Sequence, residues 1–169
     1  MEKGSLGDIY NMVCEAPSGD GFGIEAMPEF LDMDMETNSH PHVHTFYEIL
    51  WFFEGGGIHT VDFQDYVVEE NSIFFLSPGQ IHSFDGRTRH KGISVKLCTD
   101  FLKYENADED IFIKYNMFNA FDTAPYFVIK ESSVVDHLHG IIERMRLEQE
   151  SVDDFGHMDI LRALVKIFL

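Results

Sequence analysis

Three histidines and a glutamate stand close together in the segment HPHVHTFYEILWFFEGGG, which covers residues 40–57. Within it, His42, His44 and Glu48 follow the spacing His-x-His-x3-Glu, and a later Pro-Gly turn ends in His82. Imidazole and carboxylate groups are ligands that zinc, iron, manganese, nickel and copper accept. The four side chains are therefore candidate ligands for a divalent transition metal.

The same side chains also suit a pocket for a small organic molecule, in which they donate and accept hydrogen bonds. If residues 42–53 form one strand, alternate positions share a face. We expect that face, together with two residues of a later strand, to bind the ligand through His42, His44, Phe46, Glu48, Leu50, Phe52, His82 and Phe84. A third interpretation is a plain core whose polar groups are hydrogen-bonded and bind nothing.

Short apolar segments separated by Gly, Pro, Asp and Asn turns extend from about residue 20 to residue 98. Such spacing predicts an antiparallel sandwich or a small barrel. From about residue 131, apolar residues recur at steps of three and four, which predicts helices. The expected fold is mainly β with C-terminal helices, with a barrel over residues 1–130 and a helical pair over residues 131–169.

The second helix of this pair is expected to begin near Ser151, where Ser151 and Asp154 have the spacing of a capping box. Exposing large apolar side chains costs roughly 1.5–3 kcal/mol each, so we expect the apolar stripe of this helix to form a homodimer interface. The stripe consists of Met158, Leu161, Leu164, Val165 and Phe168. The final segment ALVKIFL has no stop signal, which favours a helix that continues into a further segment.

The formal net charge of −18 over 169 residues argues against direct contact with nucleic acid, because such a surface repels phosphate. No apolar run is long enough to span a bilayer. With only two cysteines, the default expectation is a reducing cytoplasm, and Cys98 is expected to be a small core residue. Five histidines without a spacing signal are expected at surface or cap positions: His59, His90, His137, His139 and His157.

The pattern from His42 to Gly55 resembles the first motif of the cupin superfamily, and Pro78-Gly79-x2-His82 partly matches the second. Glu36 and Gly86 stand where the superfamily often has glycine and asparagine. More of the chain resembles the N-terminal regulatory half of AraC/XylS-type transcription regulators. That resemblance rests on HPHVHTFYEILWFFEGGG, ENSIFFLSPGQIHSF, KGISVKLCTDFL and the helical pair.

The resemblance implies a cupin-type antiparallel β-barrel, also called a double-stranded β-helix or jelly roll, that binds a small effector. It further implies helices that mediate dimerisation and a separate C-terminal helix-turn-helix domain through which DNA is bound. No catalysis and no cofactor are expected, although a divalent transition metal at the histidine–glutamate cluster stays open. The acidic surroundings favour a neutral sugar or polyol over an anion.

Two other functions fit the same residues. A metal-dependent cupin enzyme, such as a dioxygenase or isomerase, would use His42, His44, Glu48 and His82 as ligands. A sugar-binding module without a DNA-binding partner is the third hypothesis.

Overall fold

The computed structural model describes residues 10–12, 21–27, 39–85, 90–102, 117–118, 124–151 and 155–169. In this part of the chain, ten strands form two five-stranded sheets. The first sheet has, in spatial order, β1 (Tyr10–Met12), β3 (His42–His44), β8 (His82–Phe84), β5 (Ile58–Val61) and β6 (Gln64–Val67). The second has β10 (Tyr126–Val128), β7 (Ser72–Leu76), β4 (Tyr47–Phe52), β9 (Gly92–Leu97) and β2 (Phe22–Ala26).

Neighbouring strands are antiparallel in both sheets, except for the parallel pair of β1 and β3. The predicted fold class, a mainly β protein with a cupin-like sandwich and C-terminal helices, is confirmed. The single strand predicted over residues 42–53 is in fact two strands. A break at Thr45 and Phe46 lets the chain cross from the first sheet, at β3, to the second sheet, at β4.

The second sheet is covered on both faces, which explains why its central strands are apolar at nearly every position. Its inner face packs against the first sheet in one cluster: Met27, Leu50, Phe52, Val61, Val68, Phe74, Leu76 and Phe84. Its outer face packs against helices in another cluster, in which Ile49 and Trp51 of β4 meet Ile142 and Phe168. The alternation along β4 thus separates the barrel interior from the helical layer, as predicted.

The described residues also contain α1 (Thr99–Leu102), which lies between β9 and β10, and α2 (Ser132–Gln149) and α3 (His157–Phe168), which follow β10. Helix α3 begins after Gly156, whose φ of 80° is a left-handed conformation that glycine adopts easily. The predicted start near Ser151 is therefore too early, and residues 152–154 of the proposed cap lie outside the described residues. Neither α2 nor α3, nor the short α1, is long and apolar enough to cross a membrane.

The apolar stripe of α3 packs against the chain's own core. Leu161, Val165 and Phe168 are buried in the outer cluster, and Met158 and Leu164 pack against it half-buried. These five side chains were predicted to form a dimer interface on the expectation that the barrel leaves them uncovered. The outer face of the second sheet and helix α2 supply the missing cover.

Cys98 also differs from its prediction. It lies directly after β9, is half-buried and is disulfide-bonded, whereas a small core residue was expected. The other cysteine of the sequence, Cys14, lies outside the described residues.

Two glycines give opposite predictions for the same substitution. At Gly92 in β9, a Cβ atom would overlap the Trp51 carbonyl oxygen and lie 3.0 Å from the Phe52 Cα atom, so Gly92→Ala should lower the free energy of unfolding by about 1–3 kcal/mol or more. At Gly140 in α2, a Cβ atom meets nothing within 4 Å. Gly140→Ala should therefore raise the free energy of unfolding by about 0.5–1 kcal/mol. Denaturant unfolding of both variants measures the difference. Equal effects of the two substitutions would contradict the packing at Gly92.

Candidate functional site

The two sheets bring imidazoles and a carboxylate together inside the barrel. In the first sheet, β8 lies between β3 and β5, so that His82 pairs with His42 on one side and with Val61 on the other. In the second sheet, Glu48 occupies β4, the central strand. His42, His44, Glu48 and His82 are all buried, although they come from three strands and from opposite sheets.

Glu48 is the centre of this group. Ser94 Oγ donates a 2.6 Å hydrogen bond to Glu48 Oε1. The other oxygen, Oε2, lies 3.4 Å from His44 Nε2 and 4.0 Å from His82 Nε2. Burial by itself would raise the pKa of Glu48, but contacts with His44 and Ser94 and the charge of Lys96 lower it below its ordinary value. The side chain is therefore a buried carboxylate anion.

The histidines of β3 are oriented by backbone carbonyl groups. His44 Nδ1 donates a 2.7 Å hydrogen bond to the carbonyl oxygen of Phe46, and the two rings stack 4.3 Å apart. His42 Nδ1 donates to the carbonyl oxygen of His40 at 3.0 Å. Each Nδ1 atom carries the hydrogen in these bonds, because a carbonyl oxygen can only accept. The other ring nitrogen of His44, Nε2, faces Glu48 Oε2.

His59 is a site residue that the sequence analysis missed. It is fully buried, and its Nε2 lies 3.1 Å from His82 Nδ1. Burial lowers the pKa of His59 to about 3 despite the nearby Glu48 carboxylate, and burial with the neighbouring histidines lowers the pKa of His82 well below its ordinary value. Both rings are therefore neutral. The alternation of side chains along β5 could have predicted this burial, because His59 shares a face with the apolar Val61.

Aromatic and aliphatic side chains surround the polar group. Leu50, Phe52 and Phe84, all predicted ligand-pocket residues, belong to the inner cluster, and Phe46 is buried against His44. His59 stacks on the Phe84 ring with centroids 4.5 Å apart. All eight predicted ligand-binding residues are thus inside the barrel, and each of them is buried.

The prediction of surface or cap positions is wrong for three of the five remaining histidines, since His59, His90 and His157 are buried. His90 lies between the rings of Phe52 and Phe84, at 5.1 Å and 5.4 Å, and neither of its nitrogens has a hydrogen-bond partner in the described part of the chain. Aromatic neighbours supply contacts but no acceptors, so His90 adds an unpaired polar group to the barrel interior.

The donor set fits a divalent transition metal. Among the described residues, His44, Glu48 and His82 offer ligand atoms that all lie within 4.8 Å of one another. Two ligands of one ion, each about 2.1 Å from it, are at most about 4.2 Å apart. The separations of 3.4 Å and 4.0 Å at Glu48 meet this limit, and the third pair, His44 with His82, lies within 4.8 Å. His42, the fourth predicted ligand, is not part of this group, although its ring centroid is 4.1 Å from that of His82.

Comparison with protein families gives a match over residues 32–165 to the AraC-like ligand binding domain. The chain belongs to this family. The match includes the barrel residues of the site and most of the two long helices. The chain is thus a ligand-binding domain of a regulator type, as the resemblance implied. A comparison with curated proteins found no match.

His90 provides a prediction for the dependence of stability on pH. Burial lowers its pKa in the folded chain, with Asp85 opposing the effect. The unfolded chain therefore binds a proton at His90 near pH 6.5 that the folded chain binds only at lower pH. Stability decreases as the pH falls below about 6.5, by up to about 1.4 kcal/mol per pH unit for each histidine of this kind.

We expect His90→Phe to make this decrease shallower and to leave stability unchanged or higher above about pH 7, since it removes two unpaired nitrogens. Denaturant unfolding over a pH series, with a chelator present, measures both quantities. If the stability of the variant falls with decreasing pH as steeply as that of the wild type, His90 does not contribute to the decrease.

Proposed function

We propose that this chain is the effector-binding, dimerising and non-catalytic domain of a transcription regulator. The observation that carries the proposal is a buried polar cluster inside the barrel of a chain that belongs to the AraC-like ligand binding domain family. DNA is contacted through a separate helix-turn-helix domain, since the formal charge of −18 repels phosphate.

Unpaired polar atoms support a polar effector in the barrel. Among the described residues, His44 Nε2, His59 Nδ1, His82 Nε2 and both ring nitrogens of His90 are buried without hydrogen-bond partners. Each such atom costs about 1–3 kcal/mol relative to a paired one. A ligand with several hydroxyl groups, each a donor and an acceptor, relieves this cost, and the aromatic walls then pack against its carbon atoms.

A neutral sugar or polyol fits this interior better than an anion does. Glu48 is ionised and buried, and His59 and His82 are neutral, so no fixed positive charge among them faces an incoming carboxylate or phosphate. An anion would also lose its hydration shell next to the Glu48 carboxylate. Effector binding would then alter the position of the helices through the second sheet, whose inner and outer faces contact the site and the helices.

We expect a thermal-shift screen, with a chelator present, to detect stabilisation by neutral sugars or polyols. A ligand at ten times its Kd adds about 1.4 kcal/mol, which is about 3–6 °C for a chain of this size. Phe52→Ala should weaken the shift, and Val67→Ala, on the exposed edge strand β6, should not. A screen in which only organic anions raise the unfolding temperature would contradict the sugar or polyol assignment.

The dimer surface proposed here lies on a different part of the helical pair from the α3 stripe. Leu147, Phe155 and Ile160 are exposed around a groove between α2 and α3, which Arg144 and Glu148 also line. Exposed apolar groups beside charges of both signs suit a two-fold copy of the same surface. A second chain would bury these apolar side chains, and the core contacts of the stripe would remain as they are.

We expect the chain to sediment as a dimer at micromolar concentration and the double variant Leu147→Glu, Ile160→Glu to sediment as a monomer. Val67→Glu, at an exposed apolar position on the barrel, serves as the control and should remain dimeric. Leu161 is unsuitable for this test, because it is 1% exposed and its replacement by glutamate would unfold the core. A wild-type monomer would exclude the proposed dimer.

The enzyme alternative draws its support from the His44, Glu48 and His82 group, which resembles a metal-dependent catalytic centre. Metal binding alone does not separate the two functions, because a regulator can also carry an ion. Turnover of a substrate by the metal-loaded chain would favour the enzyme, whereas stabilisation by a ligand that is recovered unchanged favours the regulator.

A further inference from the structure

Strand β2 forms one edge of the second sheet, next to the end of helix α2. In the described part of the chain its one neighbouring strand is β9, whereas β4 lies between β7 and β9. An edge strand has backbone groups on its outer side without a strand partner, and fewer contacts hold it in place. Strand β2 therefore moves at a lower cost than β4 when the barrel interior changes.

An ion pair joins β2 to the barrel interior. Lys96 of β9 lies on the inner face of the sheet, because it alternates with Val95 and Leu97 of the outer cluster. Its Nζ donates a 2.8 Å hydrogen bond to Glu25 Oε2 of β2, and the two side chains are 14% and 34% exposed. On the other side of β9, Lys96 stands opposite Glu48 of β4. The ion pair thus connects β2 with the strand that carries the buried carboxylate.

Lys96 also belongs to the electrostatic surroundings of the candidate site. Burial raises the pKa of Glu48, and the charge of Lys96 is among the interactions that lower it. Lys96 Nζ lies 5.9 Å from the centre of the Phe46 ring, a predicted wall of the ligand pocket. A polar ligand beside Glu48 therefore changes how Lys96 is attracted to its two neighbouring carboxylates, Glu48 and Glu25.

The outer edge of β2 is joined to helix α2 by one side chain. Ile24, in the middle of β2, donates its backbone N–H to Gln149 Oε1 at 2.7 Å and accepts a 3.4 Å hydrogen bond from Gln149 Nε2. The side-chain amide of Gln149 thus replaces the pair of hydrogen bonds that a neighbouring strand would make. Because Gln149 is the last residue of α2, the position of β2 and the position of this helix end depend on each other.

The end of α2 is also where the two long helices contact each other through charged groups. Glu148, the residue before Gln149, is buried, and its oxygens lie 3.1 Å from Arg144 Nη2 and 3.8 Å from His157 Nδ1. His157 is the first residue of α3. A displacement of Gln149 moves Glu148 with it and changes the groove between α2 and α3, which Arg144 and Glu148 line.

We propose that β2 couples the barrel interior to the helical pair, with Lys96 and Glu25 as the contact on the barrel side and Gln149 as the positioning residue on the helix side. An effector beside Glu48 then shifts the ion pair, and the movement of β2 alters the hydrogen bonds to Gln149. The effector does so only to the extent that its affinity differs between the two positions of β2. This regulatory use rests on the proposed function, whereas the coupling itself is a property of the ligand-free chain.

Hydrogen exchange of the Ile24 amide, followed by NMR of the ligand-free chain, tests the coupling. We expect Lys96→Met to speed this exchange at least roughly threefold, since residues that share a partner are coupled, and to shift the side-chain NH₂ resonances of Gln149. Lys96→Arg, which keeps the charge, should restore much of both.

Lys91→Met is the matched control, because it removes an exposed ion pair with Glu54 next to the other end of β9. It should leave the exchange of Ile24 and the resonances of Gln149 as they are in the wild type. Unchanged exchange and resonances in Lys96→Met, or equal changes in both variants, would overturn the coupling.

A double-mutant cycle gives a second measurement that does not depend on NMR assignments. We expect the effects of Lys96→Met and Gln149→Ala on the unfolding equilibrium constant, measured at one chain concentration, to deviate from multiplicative behaviour by at least roughly threefold. The effects of Lys91→Met and Gln149→Ala should multiply. If Gln149→Ala does not fold, Gln149→Glu replaces it, because its carboxylate still accepts from the Ile24 amide but no longer donates. Multiplicative effects in both pairs would contradict the coupling.

The coupling and the proposed function fail in distinguishable ways. A sugar screen without any stabilising ligand, or a monomeric wild type, would contradict the proposed function and leave these ligand-free measurements unaffected. A stabilising sugar together with unchanged exchange of Ile24 in Lys96→Met would overturn the coupling alone.

Discussion

The buried carboxylate of Glu48 is the constraint on which the rest of the barrel interior depends. An isolated charge on the central strand of a sheet that is covered on both faces would cost several kcal/mol, so its surroundings must compensate for it. Ser94 of the neighbouring strand β9 donates to one oxygen, and the histidines of the opposite sheet face the other. The two sheets must therefore pack in the arrangement that brings these groups together, which links the packing of the barrel to the chemistry of its interior.

Strand β4 joins this interior to the helices. Its inner face carries Glu48, Leu50 and Phe52 into the barrel, and its outer face carries Ile49 and Trp51 into the helical layer. The Trp51 ring lies 4.5 Å from the His139 ring of α2 and 6.2 Å from the Phe168 ring of α3. A single rigid strand thus contacts both the candidate site and the two helices, and a shift of this strand must be accommodated by both layers.

The apolar stripe of α3 shows where reasoning from sequence stops. The spacing of Leu161, Val165 and Phe168 predicts which face of the helix is buried, because residues three and four positions apart share a face. It does not predict what covers that face. The outer side of the second sheet covers it, and other apolar side chains of the helical pair, among them Leu147, Ile160 and Ile167, remain exposed. Periodicity therefore predicts a buried stripe, but it does not distinguish burial in the chain's own core from burial against a second chain.

The sequence by itself determined the fold class, the family resemblance and the inward face of β4, because these depend on spacing within a few residues of the same chain segment. His42, His44, Glu48 and His82 were recognisable for the same reason. Only the tertiary structure decided that His59 contacts His82, that Ser94 donates to Glu48, and that His42 lies outside the group formed by His44, Glu48 and His82. These relations depend on the register of β5 against β8 and on the packing of one sheet over the other. Such long-range arrangements arise from the sum of many contacts across the barrel, and no local spacing records them.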